Sequence, residues 1–234
     1  RHCTACWTWM PATSAGMTGN EPGPPLPQRG GWCKPRSMSD VSPEDLSLTV
    51  RTALPEGFAF LLAEFPRPVW EGHPNNGQWC QFWLQRHQMF RDYSAALTDA
   101  CDQLADGKIE AQAFHERFVP RVNFYFGEID THHKVEEYHY FPALAQADAK
   151  MARGIALLEG DHRVVHDRLM AAHGAVVGLD AAIRETPGDI ASAAPAARDG
   201  IAALGDVLGI HLNDEEDIIV PLILDRSEPV LGIG

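Results

Sequence analysis

Residues 132–144 read HHKVEEYHYFPAL, and residues 211–223 read HLNDEEDIIVPLI. Each segment opens on a His and then carries Glu at +4 and +5, Pro at +10 and an aliphatic residue at +12. Side chains four apart stack on one face of an α-helix, one turn above each other. An imidazole and a carboxylate from one helix can therefore reach a single point, and a metal ion is the usual reason for such convergence. Between the two copies lies Gly160-Asp161-His162-Arg163-Val164-Val165-His166-Asp167, a His pair again spaced by four. Three such pairs on three segments require helices that turn these faces toward one another.

The apolar pattern supplies those helices. Apolar residues recur at i, i+3, i+4 and i+7, as in Leu157, Leu158, Val165, Leu169, Ala172 and Val176, and β-branched alternation is absent. Four long segments follow Asn75-Asn76-Gly77: about 78–105, 110–147 with a bend at Pro120, 150–186, and 189–224. Their connections are short, which makes sequence neighbours antiparallel. The expected fold is all-α, an antiparallel four-helix bundle over residues 76–226 with a C-terminal tail at 227–234. An N-terminal extension at 41–75 is expected to add one short helix, started by Ser42 as cap and Pro43 at the first helical position.

Residues 1–40 differ from the rest. Glu21-Pro22-Gly23-Pro24-Pro25-Leu26-Pro27 is proline-rich, and the flanking residues show no period. That composition predicts a disordered leader. Met38-Ser39-Asp40 reads as an ordinary protein start, so residues 1–37 are expected to be an over-extended reading frame or an addition to the natural protein. A formal net charge of -13 argues against nucleic-acid and anionic-membrane partners, which require a cationic face. No run of about 18 apolar residues predicts a membrane span. Five cysteines do not suggest a disulfide framework, and Cys3-x-x-Cys6 lacks a second half for zinc. With no secretory hydrophobic region near the N-terminus, the expected location is the cytoplasm.

The repeat extends beyond the motif. His132 and His211 are 79 residues apart, and His87 and His162 are 75 apart, so His87-Gln88-Met89-Phe90-Arg91-Asp92 overlays His162-Arg163-Val164-Val165-His166-Asp167. Two copies of a helix hairpin result, with Arg91 standing where the second copy has His166. The candidate ligands are His87, His132 and Glu136 from the first half, and His162, His166, His211 and Glu215 from the second. Five imidazoles and two carboxylates exceed what one transition metal holds, so two metals are expected, with one position open to a small molecule. Nitrogen and oxygen donors without thiolate suit iron, then manganese or zinc.

The order His, His-x-x-x-Glu, His-x-x-x-His, His-x-x-x-Glu resembles the hemerythrin family, and HHKVEEYHYFP in particular resembles its HHE cation-binding branch. The likeness covers roughly residues 78–224. It implies an antiparallel four-helix bundle around a non-heme di-iron centre. By that resemblance His162, His166 and His211 would hold one iron, His87 and His132 the other, and Glu136 and Glu215 would bridge. His133 is a further ligand candidate, since this branch often places a second ligand beside the first. The ligand it implies is a small molecule such as oxygen, nitric oxide or peroxide, bound or sensed at the less-coordinated iron. An enzyme removing peroxide or nitric oxide, and an iron storage or delivery module, are the competing roles. The oxygen carriers of the family close with His followed by Asp at +5, whereas this chain has Glu215 at +4 and Glu216 at +5. That longer carboxylate weighs against simple reversible oxygen carriage and leaves metal binding intact.

Other histidines have plainer readings. His2, His73, His115 and His173 belong to no matching pair and are taken as structural. Glu136-x-x-His139 and Glu159-x-x-His162 match the spacing of ferritin-like di-iron bundles, but that arrangement would leave His87, His132, His166 and His211 without a role. Glu137 and Glu216 are read as solvated helix edges in preference to acceptors for imidazole N–H groups. Phe90, Phe141, Leu169 and Ile219 are read as core.

Overall fold

The computed structural model describes residues 46–55 and 57–233. The expected leader, with His2 and the Cys3/Cys6 pair, and the expected helix start at Ser42-Pro43 lie outside the described residues. Among the described residues the chain is helical and contains no strand. Helix α1 spans Gln78–Ala105, α2 Ala111–Val135, α3 Phe141–Ala147, α4 Met151–Glu185, α5 Ile190–Arg226 and the short α6 Glu228–Leu231. Ahead of α1 the described extension consists of turns and a 3₁₀ turn at Arg67–Val69, with no α-helix among the described residues before Gln78.

Contacts set the packing order: α4 lies on α5, α5 on α1, α1 on α2, and α2 on α4. Apolar stripes explain this ring. On α4 the buried positions include Ile155, Leu158, Val165, Leu169, Ala172, Val176 and Leu179, one stripe of a 3.6-residue period. The approach of α5 to α4 is close at Gly200, where a Cβ would stand 3.2 Å from Ala172 Cα. At Gly107, φ is 67°, a left-handed conformation that closes the turn between α1 and α2 without the steric cost of a Cβ.

The second segment breaks in an unexpected place. Helix α2 continues through Pro120, and the interruption comes at Glu136–Tyr140, which is wound as a π-helix. There Phe141 N–H donates to Glu136 O, five residues back. Pro142 supplies a reason: it has no N–H to return to Tyr138 O, and its ring crowds that carbonyl. The extra residue resets the register so that Glu136 and Phe141 face inward, while Tyr138 and His139 face solvent.

Two apolar clusters fill the bundle. One contains Phe90, Tyr125, Ile129, Val165, Leu208 and Leu212. The other contains Trp83, Phe141, Leu158, Ile218 and Ile219. Phe90, Phe141, Leu169 and Ile219 are all buried, as expected of core residues. Helices α1, α4 and α5 pass from one cluster to the other, α2 reaches the second through the π-turn and α3, and the polar ligand candidates occupy the layer between. On α1, for example, His87 lies between Trp83 and Phe90.

Candidate metal centre

Four helices each contribute side chains to this layer. His87 comes from α1; His132 and His133 end α2, with Glu136 opening the π-turn; His162 comes from α4; His211 and Glu215 come from α5. His87 and Glu215 have no exposed surface, and Glu136 is 1% exposed. The donors form two adjacent groups, each with its ligand atoms within 4.8 Å of one another: His133, His162 and His211 in one, His87, His132, Glu136 and Glu215 in the other.

The carboxylates lie between the groups. Glu136 Oε1 is 3.0 Å from His132 Nε2, while its Oε2 is 3.7 Å from His162 Nε2. Glu215 Oε2 is 3.5 Å from His87 Nε2 and 3.7 Å from His211 Nε2. Nε2 atoms of His87 and His132 are 3.1 Å apart, and the rings of His133 and His162 stack at 4.0 Å. Trp83 Nε1 donates to Glu136 Oε1 at 2.9 Å and fixes its orientation.

This layer is under-satisfied as bare protein. Among the described residues nine buried side-chain polar atoms lack a hydrogen-bond partner, and seven of them are here: His133 Nε2, Glu136 Oε2, His162 Nε2, both His211 nitrogens and both Glu215 oxygens. Each orphan costs about 1–3 kcal/mol, and native structures hold few of them. Cations in this layer would satisfy the inward-facing atoms together. The donors present therefore fit a metal centre on chemistry as well as on placement.

Electrostatics agree with that fit. Burial holds the imidazole of His87 down to about 4, against the raising influence of Glu216. Burial and neighbouring His211 hold His162 down to about 3, and burial with the same crowding keeps His133 well below its usual value. Neutral imidazole is the form that binds metal. Burial and the nearby Glu136 push Glu215 well above the carboxylate range. Burial works in the same direction on Glu136, yet the imidazole of His132 and its hydrogen bond outweigh it and keep Glu136 low. Two carboxylates this close, with no cation between them, share one ionisation.

His166 is the candidate that the structure leaves out. It is exposed, and neither group includes it. The buried stripe of α4 runs through Leu158, Asp161, His162, Val165 and Leu169, and a step of four from His162 rotates about 40° off that line. His133 takes the third imidazole position beside His162 and His211. His166 instead lines an open cleft of ≈ 490 Å³ that also reaches His133, His162, Lys134 and Glu137.

Glu137 and Glu216 are not idle helix edges. Glu137 Oε1 lies 2.8 Å from Nδ1 of His162, and Glu216 Oε1 lies 3.0 Å from Nδ1 of His87. Burial works to raise Glu216, but His87 and Arg91 outweigh it and bring it down to about 2. Arg91, which replaces a histidine in the repeat, donates to Glu216 at 2.9 Å. Such acceptors hold an imidazole in one tautomer with the other nitrogen facing the metal. The shared +5 position of the two motifs was the one signal for them in the sequence. His139 and Glu159 are exposed, so the ferritin-like spacing has no site. His173 is exposed, His73 is half-buried, and His115 pairs with Asp180 at 2.7 Å.

The Hemerythrin HHE cation binding domain model matches residues 81–228. The chain belongs to that family. No curated protein and no solved structure matches it. Among the described residues no helix is long and apolar enough to cross a membrane.

Proposed function

We propose that this chain is a non-heme di-iron protein of antiparallel four-helix design that binds or senses a small molecule such as oxygen, nitric oxide or peroxide. The helix pairings support the design: Gly154 meets Ile218 and Gly200 meets Ala172, so α4 and α5 run in opposite directions. Trp83 with Glu136, His87 with His132 and Tyr93 with Tyr125 give the same sense for α1 and α2. The observation that carries the metal reading is the cluster of orphaned polar atoms at the two donor groups, all but His211 Nδ1 belonging to the ligand layer itself.

His133, His162 and His211 would hold one ion, His87 and His132 the other, with Glu136 and Glu215 shared. Iron bound there would supply redox chemistry and an open coordination position, while the protein sets access and ligand number. Access favours the three-histidine side. The cleft reaches His133 and His162, whereas His87 is fully buried behind Trp83 and Glu216. A small molecule would enter past Lys134, Arg163 and His166.

Elemental analysis of freshly purified protein tests this first, and near two irons per chain is expected. Absorption spectra with peroxide and with nitric oxide then separate the roles. A stable ligand-bound band marks binding, continuing consumption marks an enzyme, and release to a chelator within minutes marks iron delivery. One zinc, or no metal, would overturn the di-iron reading.

A further inference from the structure

The family match begins at residue 81, yet the centre is also gripped by residues that precede it. Arg51 is buried. Its Nη1 donates to Asp161 Oδ1 at 2.9 Å, its Nη2 to Asp161 Oδ2, and its Nε to Asp214 Oδ2 at 2.7 Å. Asp161 Oδ2 in turn faces Nδ1 of His211 at 3.6 Å, longer than a hydrogen bond but close enough to orient a polar ring. Arg67 repeats the arrangement on the other side. Its Nη1 donates to Glu216 Oε2 at 2.8 Å, its Nε to Asp217 at 2.7 Å, and its Nη2 to the carbonyl of Asn213 at 3.0 Å. Glu216 is the acceptor behind His87.

We propose that residues 46–55 and 57–77 form a strap whose Arg51 and Arg67 are positioning residues for the metal centre, one for each donor group. They hold Asp161 and Glu216 so that His211 and His87 keep the proton on Nδ1 and turn Nε2 inward. The metal part of this inference rests on the function proposed above; the ring orientation does not.

Anchoring alone does not account for these arginines. The strap already has apolar anchors in Leu48 and Trp70, both buried, and Asn75 Nδ2 donates to Leu224 O at 2.7 Å. Burying the Arg51 guanidinium carries a desolvation cost of several kcal/mol that an apolar anchor avoids. Arginine, with a rigid fork, can hold a carboxylate in a fixed plane, which a lysine ammonium cannot. Both forks end on carboxylates that stand behind an imidazole of the centre.

The test uses the full chain, with Arg67→Met, Arg67→Lys and Arg51→Lys. Arg67 has a side chain 43% exposed, so its removal opens no cavity in the core, and lysine at 51 avoids stranding two buried aspartates. In the metal-free protein, long-range ¹H–¹⁵N spectra of histidine should show Nδ1–H for His87 and His211. Arg67→Met should disturb the His87 tautomer alone, and Arg51→Lys that of His211 alone. With iron bound, each should speed release to a chelator by about 10-fold, the low end of the 10–100-fold typical of such partners, because Arg91 still holds Glu216 in the one case and lysine keeps a cation beside Asp161 in the other. Arg67→Lys should recover part of the loss. Unchanged tautomers, or equal changes at every histidine accompanied by lost helicity, would overturn the strap's positioning role. A wild-type chain that binds no iron would sink the metal reading, and the tautomer spectra would still decide the strap.

Discussion

Acidifying the metal-free protein from pH 7 to pH 5 loads protons onto the unfolded chain that the folded chain refuses. His87, His162 and His133 are buried and neutral, with folded values of about 4, about 3 and well below the usual 6.5. Between pH 6.5 and 5 the unfolded chain therefore binds up to three more protons at these sites. Glu215 acts in the opposite sense: its folded value is raised, so the folded chain holds one proton that the unfolded chain has released. Three minus one leaves two extra protons on the unfolded side. Since stability falls as pH falls wherever the unfolded state binds more protons, the slope approaches about 3 kcal/mol per pH unit near pH 5. Domains of this size have a total stability of about 5–15 kcal/mol, so the loss is large. Glu216, held at about 2, adds its own loss only below the unfolded carboxylate range and lies outside this window. Urea melts followed by far-ultraviolet circular dichroism at pH 7, 6 and 5 would measure the slope. His133→Leu removes one titrating ring and should flatten it by about 1.4 kcal/mol per unit. A stability that stays level from pH 7 to 5 would refute the assignment of these rings as buried and neutral.

Other outcomes can be measured directly. His133→Ala should lose about one metal per chain by elemental analysis, while His166→Ala should keep full content, because only His133 lies among the donors; the reverse result would mean that α4 is rotated from the position described. Gly200→Val should lower stability by about 1–3 kcal/mol in thermal melts, since the close approach to Ala172 leaves no room for a branched side chain. Phe90→Ala should cost about 3–5 kcal/mol, because Phe90 is fully buried and packs beside the ring of His132. An unchanged melt in either variant would contradict the packing.

Much of the site was legible because helical spacing is local. His132 with Glu136 and His211 with Glu215 declare their shared faces through the four-residue step, and the repeat brings His87 and His162 into register with them. The structure gathers all six. The same rule misleads at His166, since a four-residue step also drifts around the helix, and the neighbouring apolar residues decide which member points inward. Between His132 and His133 the spacing offers no choice at all, and both are buried. The sequence predicts a bend at Pro120, whereas α2 runs through that residue and the winding changes at Glu136–Tyr140, because a proline's effect depends on what its ring and missing N–H meet.

By itself, then, the sequence determined that the chain would be helical, where its four long helices would fall, and that their shared faces would carry metal-type donors. These follow from periods of three and four residues along one strand of backbone. Tertiary structure decided which third imidazole joins His162 and His211, which side opens to solvent, and which carboxylates stand behind the rings. Arg51 meets Asp161 across 110 residues and Arg67 meets Glu216 across 149. No local period encodes such pairings, because they exist only once packing has brought distant helices and the strap to the same layer.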